Sequence, residues 1–225
     1  MNINNYRYER KFVIKNFTLP EIEYFIKTHP AMFSEIYHQR WVRNIYFDTI
    51  NFDHYVDNIE GNSERNKLRI RWYGDLFGNI KEPKLELKYK NGLLGYKKYF
   101  DINPFFIRPN NELSKINSNL NKSIKNYNRE NYDFINYFPV ISNSYKRKYF
   151  LSSNHLFRIT IDSNQSFFRV NNNFLCNRVD NNQNIILELK YDYNSERKVD
   201  EISKFFPFRL SKNSKYVEGV NVCYS

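Results

Sequence analysis

The sequence predicts a mainly β protein of the α+β class, a closed antiparallel eight-stranded barrel with helices packed on the outside. Three observations predict it. Short stretches rich in apolar and aromatic residues recur along the 225-residue chain, separated by turn signals such as Gly74-Asp75, Asn91-Gly92 and Asp162-Ser163-Asn164. Helical signals are few. In five of the stretches, charged residues, mostly Arg and Lys, alternate with apolar ones at the two-residue period of a strand.

Taken in order, strands are predicted at Tyr6–Ile14, Trp41–Asp48, Lys67–Trp72, Lys84–Lys90, Lys97–Ile102, Ser144–Leu151, Leu156–Asp162, Phe167–Val170, Ile185–Tyr191 and Lys215–Val222. A helix over Leu19–Thr28 follows from Thr18-Leu19-Pro20-Glu21, a capping-box spacing in front of Ile22, Phe25 and Ile26. Asn51–Glu60, stopped by Gly61, and Val199–Phe206, stopped by Pro207, read as two more. Between Asn111 and Tyr137, the residues Leu113, Ile116, Leu120, Ile124 and Tyr127 recur at spacings of three and four, which favours a further helix. No internal repeat or linker divides residues 1–225, so one domain is predicted.

Composition narrows the partners. Lys and Arg number 35 against 24 Asp and Glu, a net charge of +11 whose summed field favours an anionic partner. Nucleic acid, an anionic membrane surface and a small polyanion all fit that sign. No zinc-finger, helix-turn-helix or aromatic-rich recognition motif is present, so nucleic acid is not expected. Aromatic residues, 18% of the chain, supply large side chains for a core despite the polar average. Cys176 and Cys223 lack paired spacing, which argues against a disulfide framework and a thiolate zinc site. Met1–Tyr8 has no signal-peptide stretch and no apolar run of membrane-spanning length follows, so the chain reads as cytoplasmic, with a membrane-bound partner compatible.

The charged alternation carries the functional reading. In Lys67-Leu68-Arg69-Ile70-Arg71-Trp72 one face of the strand is basic and the other apolar. Lys84–Lys90, Ile186–Tyr191, Arg158–Asp162 and Arg7–Lys11 repeat the arrangement. A single strand of this kind is what any antiparallel sheet with a wet face shows. Five are different, because an ordinary wet face mixes in Ser, Thr and Gln, whereas these polar slots hold mainly Arg and Lys with one carboxylate per strand. Closing the sheet, with helices over its apolar outside, would leave the charged face within. Cations crowded there repel and lose hydration, a conflict that a bound polyanion removes. Arg would bond phosphate oxygens bidentately, Lys would act as a point charge, and the glutamates would hold Mg2+ or Mn2+ together with the phosphates.

At this point the chain resembles a known family, the VTC domain of the triphosphate tunnel metalloenzymes, relatives of the CYTH proteins. The most specific piece is Leu68-Arg69-Ile70-Arg71-Trp72-Tyr73-Gly74, which looks like the family's Arg-x-Arg-Trp-Tyr-Gly strand. Glu9-Arg10-Lys11-Phe12, Ile45–Thr49, Leu85-Glu86-Leu87-Lys88, Lys97–Phe100, Tyr145-Lys146-Arg147, Phe157–Asp162, Leu187-Glu188-Leu189-Lys190 and Ser214-Lys215-Tyr216 with Gly219 follow in the expected order. The resemblance implies a polyphosphate polymerase, which moves the terminal phosphate of ATP onto a growing inorganic polyphosphate chain and releases ADP, with Mn2+ or Mg2+. Carried over by position, Lys11, Arg69, Arg71, Lys88, Lys97, Arg147, Arg158 and Lys215 would grip phosphates, with Lys11, Arg69, Arg71 and Lys215 at the reacting centre. Glu188 would hold the metal. Lys190, on the same strand face, and Lys212, near Lys215, join the phosphate contacts. A non-catalytic polyphosphate or triphosphate binder and a metal-dependent triphosphatase are the alternatives.

One departure discriminates among these. The hydrolase and cyclase branches carry Glu-x-Glu-x-Lys on the first strand, where this chain has Arg7, Glu9 and Lys11. Losing one carboxylate weakens a two-metal hydrolase site and favours making polyphosphate, or only holding it. The regulatory and membrane-spanning segments found beside this domain in eukaryotic members are absent from the sequence, as expected of the stand-alone bacterial kind.

Other tempting residues read as structural. His29, His38, His54 and His155 lack metal-ligand spacing. Trp41 and Trp72 are assigned to the outer face, and Asp48 to capping a turn. Glu9 and Glu86 are left between metal binding and ion pairing. Glu218 is placed in the lumen, in an ion pair with Lys215 or at the metal.

Overall fold

In a computed structural model the described residues are 7–92, 94–108, 116, 136–171 and 174–225. Eleven strands are described: β1 (Arg7–Ile14), β2 (Ser34–Asp48), β3 (Glu64–Tyr73), β4 (Gly78–Ile80), β5 (Lys84–Asn91), β6 (Leu94–Asp101), β7 (Phe105–Ile107), β8 (Phe138–Leu151), β9 (Phe157–Asn171), β10 (Phe174–Asn181) and β11 (Ile185–Asp192). The helices are α1 (Leu19–Lys27), α2 (Asp53–Glu60), α3 (Val199–Ser203), which follows a 3-10 turn over Tyr193–Lys198, and α4 (Lys215–Tyr224). The helix expected between Asn111 and Tyr137 lies outside the described residues, apart from Ile116 and the stretch from 136 onward.

Local signals account for most of these elements. Thr18 and Glu21 form the expected capping box, with Glu21 Oε2 accepting from the Thr18 backbone N–H and hydroxyl, both at 2.7 Å. The Asn91-Gly92 turn joins β5 to β6, and Gly92 adopts φ +58°, which a residue without Cβ reaches at no steric cost. Asp48 caps the segment leading into α2, accepting from the backbone N–H groups of Thr49, His54 and Tyr55 at 2.8–3.0 Å.

Nine strands form one antiparallel sheet in the order β1-β11-β9-β8-β2-β3-β5-β6, with β10 on β9, and β4 and β7 make a separate pair. This corrects the expected closed eight-stranded barrel. Among the described residues no ladder joins β1 to β6. The sheet instead curls until these edges approach each other, and Lys88 of β5 donates to Glu9 Oε2 of β1 at 3.0 Å. The reason is physical. Alternation reports which face a side chain takes, whereas closure depends on the summed register of every strand, which the bulges in β2 and between β8 and β9 shift.

Two further expectations change. The Asp162-Ser163-Asn164 turn is absent, and β9 runs unbroken from Phe157 to Asn171 with Asn164 at φ +51°. A register shift opposite Ser144–Lys146 absorbs the residues that looked like a turn. Lys215–Val222 is not a strand but most of α4. Ser214 caps it, accepting from Val217 N, and Lys215, Tyr216, Gly219, Val220 and Cys223 turn a buried face inward at helical spacing.

The apolar faces point outward and are covered. Ile22 and Ile26 of α1 and Val199 and Ile202 of α3 pack on Phe12, Leu187, Leu189, Ile159 and Ile161. Trp72, Leu68, Ile70, Leu85 and Phe100 pack with Ile80 and Phe105 of the β4–β7 pair and with Ile116. Helix α4 is different: it fills one end of the concave face, where Tyr216 stacks on Tyr46 at 5.4 Å. Its Gly219 is required there, since a Cβ would lie 2.3 Å from Ile141 Cδ1 and 2.8 Å from Phe167 Cδ1.

Candidate phosphate-binding site

The concave face, the lumen, collects what the alternation predicted. Register sets Lys11 opposite Glu188, Glu9 opposite Lys190, Arg69 opposite Glu86, Lys67 opposite Lys88, and Lys88 opposite Lys97. Arg147 of β8 falls opposite Asp162 of β9, and Thr160 opposite Glu188. The apolar partners of these residues all face outward, so each strand delivers its basic side chains to one shared space.

Three carboxylates on two walls organise that space. On one wall Glu86 accepts from Arg69 Nε at 2.8 Å and lies 3.4 Å from Arg71 NH1. Tyr46 OH accepts from Arg69 at 3.1 Å, and Asn44 Oδ1 accepts from Arg71 Nε at 2.9 Å. On the other wall Arg147 clasps Asp162 through Nε and NH2 at 2.5 and 2.6 Å. Lys215 Nζ lies 2.6 Å from Asp162 Oδ2 and 4.0 Å from Glu188 Oε1. Glu188, 7% exposed, also faces Lys190 at 2.9 Å, Lys11 at 3.5 Å and Arg147 at 3.6 Å.

The electrostatics follow from burial and these neighbours. Burial works to raise the Glu188 carboxyl, but Lys190, Lys11, Lys215 and Arg147 hold it well below the usual carboxylate range. Burial likewise works to raise Glu86, but Arg69 and Arg71 outweigh it and lower the carboxyl, and Lys88 is the main group that lowers Glu9 against burial. All three stay ionised. The basic side chains outnumber these acids and Asp162, and the surplus is visible in two lysines. Lys67 donates to Ser214 Oγ at 2.7 Å, and neither Lys67 nor Lys97 makes an ion pair among the described residues. Burial pushes both ammonium groups well below their ordinary range, Lys67 further through Lys11, Lys88, Arg65 and Arg69, and Lys97 through Arg69, Arg71 and Lys190.

Of the residues singled out from sequence, Lys11, Arg69, Arg71, Lys88, Lys97, Arg147, Lys190, Lys215, Glu9, Glu86 and Glu188 converge in this lumen. Arg158 pairs in register with Lys190 on the same face but is exposed near one end. Lys212 is exposed on the segment before α4 and makes no ion pair among the described residues. Glu218 is corrected: among the described residues it makes no ion pair with Lys215 but accepts from the Asn181 and Asn213 side chains, while Lys215 lies against Asp162 and Glu188 of the strands. Asp162, Lys67 and Tyr145, whose hydroxyl lies 3.5 Å from Arg71 NH2 and whose ring centre lies 4.8 Å from Lys215 Nζ, belong to the site without being singled out by the sequence. Strand parity marks Lys67, two positions before Arg69, whereas the Arg147–Asp162–Lys215 triplet joins three distant segments and leaves no local trace. His29 and His54 are packed histidines, with His29 Nε2 3.0 Å from the Ile202 carbonyl.

Among the described residues no three His, Cys, Asp or Glu side chains come together as a metal cage. The donor set fits a different arrangement. Glu188 and Glu9 lie close enough on adjacent strands to perturb one another, and a hard divalent cation takes one or two carboxylates and completes its shell with phosphate oxygens.

A curled antiparallel sheet with a cationic concave face, helices on its outside and one helix at its end defines a class, the triphosphate tunnel fold. Solved structures of that fold are similar across nearly the whole chain. A candidate adenylate cyclase of Bacillus halodurans aligns at TM-score 0.54 and 14% identity over 94% of this chain and 95% of its own. A candidate adenylate cyclase of Vibrio parahaemolyticus aligns at 0.53 and 12% over 95% and 97%. A candidate adenylyl cyclase of Hippeastrum with a dominant triphosphatase activity aligns at 0.50 and 14% over 97% and 96%. No curated protein sequence matches. The VTC domain model matches residues 6–224, and the chain belongs to that family.

Proposed function

We propose that the chain is a polyphosphate polymerase, an enzyme that transfers the terminal phosphate of ATP onto inorganic polyphosphate held in the lumen. The observation that carries this reading is the surplus of lumen cations, above all the half-buried Lys67 and Lys97, both beside Arg69 and neither in an ion pair among the described residues. Such a surplus is costly in an empty lumen and is neutralised by a chain of phosphates. Membership of the VTC family and the tunnel fold support it.

The residues divide the work by geometry. Arg69, Arg71 and Arg147 are already oriented by Glu86, Asn44 and Asp162, so their guanidinium forks are held still before phosphate arrives. Lys11 and Lys215 approach Glu188 from two elements and stabilise charge on the transferred group. Glu188, with Glu9 near it, would hold Mn2+ or Mg2+, which when bound neutralises phosphate oxygens. The attacking oxygen belongs to the polyphosphate end and is already ionised, so no general base is asked of the protein. Arg7, where the hydrolase branch has a glutamate, favours synthesis over two-metal hydrolysis.

Incubation of the protein with ATP and Mn2+ is expected to yield ADP and long phosphate chains on a gel, and none of either with the Arg69→Ala/Arg71→Ala double variant. ADP with only single phosphates would overturn the polymerase in favour of a triphosphatase. Tight tripolyphosphate binding without turnover would make it a binding module.

A further inference from the structure

The inward-facing positions continue past the cation cluster toward the end of the sheet opposite α4. Tyr73 of β3 lies two residues beyond Arg71, Tyr149 of β8 two beyond Arg147, and Tyr99 of β6 pairs in register with Glu86. From β2 comes Arg40, whose guanidinium lies over three rings, 4.2 Å from Tyr73, 4.9 Å from Tyr149 and 5.5 Å from Tyr37. Register shifts at Glu35/Tyr37 and Tyr37/Arg40 re-aim this part of β2, as bulges beside working sites do. Arg40 makes no ion pair among the described residues, and its Nε donates to Tyr149 OH at 3.2 Å. Three of the rings are open to solvent, with Tyr37 55%, Tyr73 48% and Tyr99 57% exposed, whereas Tyr149 is 8% exposed.

We propose that this aromatic collar seats the nucleobase of the nucleoside triphosphate whose phosphates the lumen holds. The inference rests on the tunnel reading above and adds a base seat to it. One layer of strand, about 7 Å, separates Tyr73 and Tyr149 from Arg71 and Arg147, a span that a ribose bridges. A bare phosphate chain has no flat group to lay on a ring, so inorganic polyphosphate leaves these faces unused. A purine uses them, because bases stack on tyrosine rings and on guanidinium planes alike. The opposite end of the lumen is occupied by α4 and by the segment that receives Lys11 at the Asn213 carbonyl and Lys67 at Ser214. The base is therefore assigned to the collar end.

The test uses the Tyr37→Ala/Tyr73→Ala double variant, which keeps Arg40 and every lumen cation. Calorimetric titration with the β,γ-imido analogue of ATP is expected to show affinity falling roughly five- to a hundred-and-fifty-fold. Affinity for inorganic tripolyphosphate stays within about twofold, and Tyr73→Phe, which keeps the ring, binds both ligands as the parent does. Should the double variant fail to fold, the rim variant Tyr37→Ala alone carries the same comparison. Equal losses for both ligands, or no loss for the nucleotide analogue, overturns the collar and leaves the tunnel reading standing. A parent protein that binds neither ligand overturns both.

Discussion

Lys67 shows how much of this site is decided by one residue's surroundings. It is flanked by Lys11, Lys88, Arg65 and Arg69, and burial with that repulsion lowers its affinity for a proton. A polyanion reverses the balance: phosphate beside the ammonium raises its pKa again, so binding takes up a proton wherever the pH lies between the empty and the loaded values. Apparent affinity for tripolyphosphate should consequently weaken as pH rises through that window. Calorimetry in buffers of different ionisation enthalpy is expected to report net proton uptake, reduced in Lys67→Met. Uptake that is unchanged in that variant would move the titration to Lys97 or elsewhere. Lys67→Met should also stabilise the empty protein while weakening binding, since the repulsion it removes is what the ligand relieves.

At the scale of elements, α4 holds two parts of the lumen in place, with Lys215 entering from its first turn and Tyr216 stacked on Tyr46 while donating to Asp48. Its approach depends on Gly219. A methyl group there would press into Ile141 and Phe167, and Gly219→Ala is expected to cost about 1–3 kcal/mol by overpacking, more than the helix propensity of alanine returns. Denaturant unfolding measures this; an unchanged midpoint would show that the contact gives way. From sequence alone the same stretch reads as a strand. Val217, Val220 and Val222 favour strands, and the stretch satisfies both a two-residue and a helical period. Packing against β8 and β9 chooses between them.

For the whole molecule, the acids of the lumen set the response to pH. Glu86, Asp162 and Glu188 are all held below their ordinary values by cations that overcome burial. A carboxyl lowered in the folded state contributes stability above its unfolded value and loses it as pH falls toward the folded one. Lys67 and Lys97 act in the same direction, because lowered lysines penalise the folded state most where they are protonated. Thermal melts should therefore fall with acidification in two windows, first as pH drops from the ordinary lysine value of 10.5 toward the lowered values of Lys67 and Lys97, and again below about the ordinary carboxyl value of 4.5. Added tripolyphosphate at neutral pH should raise the melting temperature, by mass action on the folded state. A melting temperature that rises on acidification would mean that repulsion among the cations is not balanced by these acids.

Much of this was legible because a strand's period is local. Lys67, Arg69 and Arg71, or Glu188 and Lys190, share a face by their spacing alone, and the sequence by itself determined which side chains of a strand lie on one face, the basic surplus among them and the outward turn of Trp72 and Leu68. Tertiary structure decided what depends on register between distant segments: that β1 and β6 approach without pairing, that β9 runs through an apparent turn, and that α4 is a helix. It also decided that Arg147, Asp162 and Lys215 interlock and that Arg40 reaches Tyr73. These outcomes sum many small shifts over the whole sheet, and no window of neighbouring residues contains them.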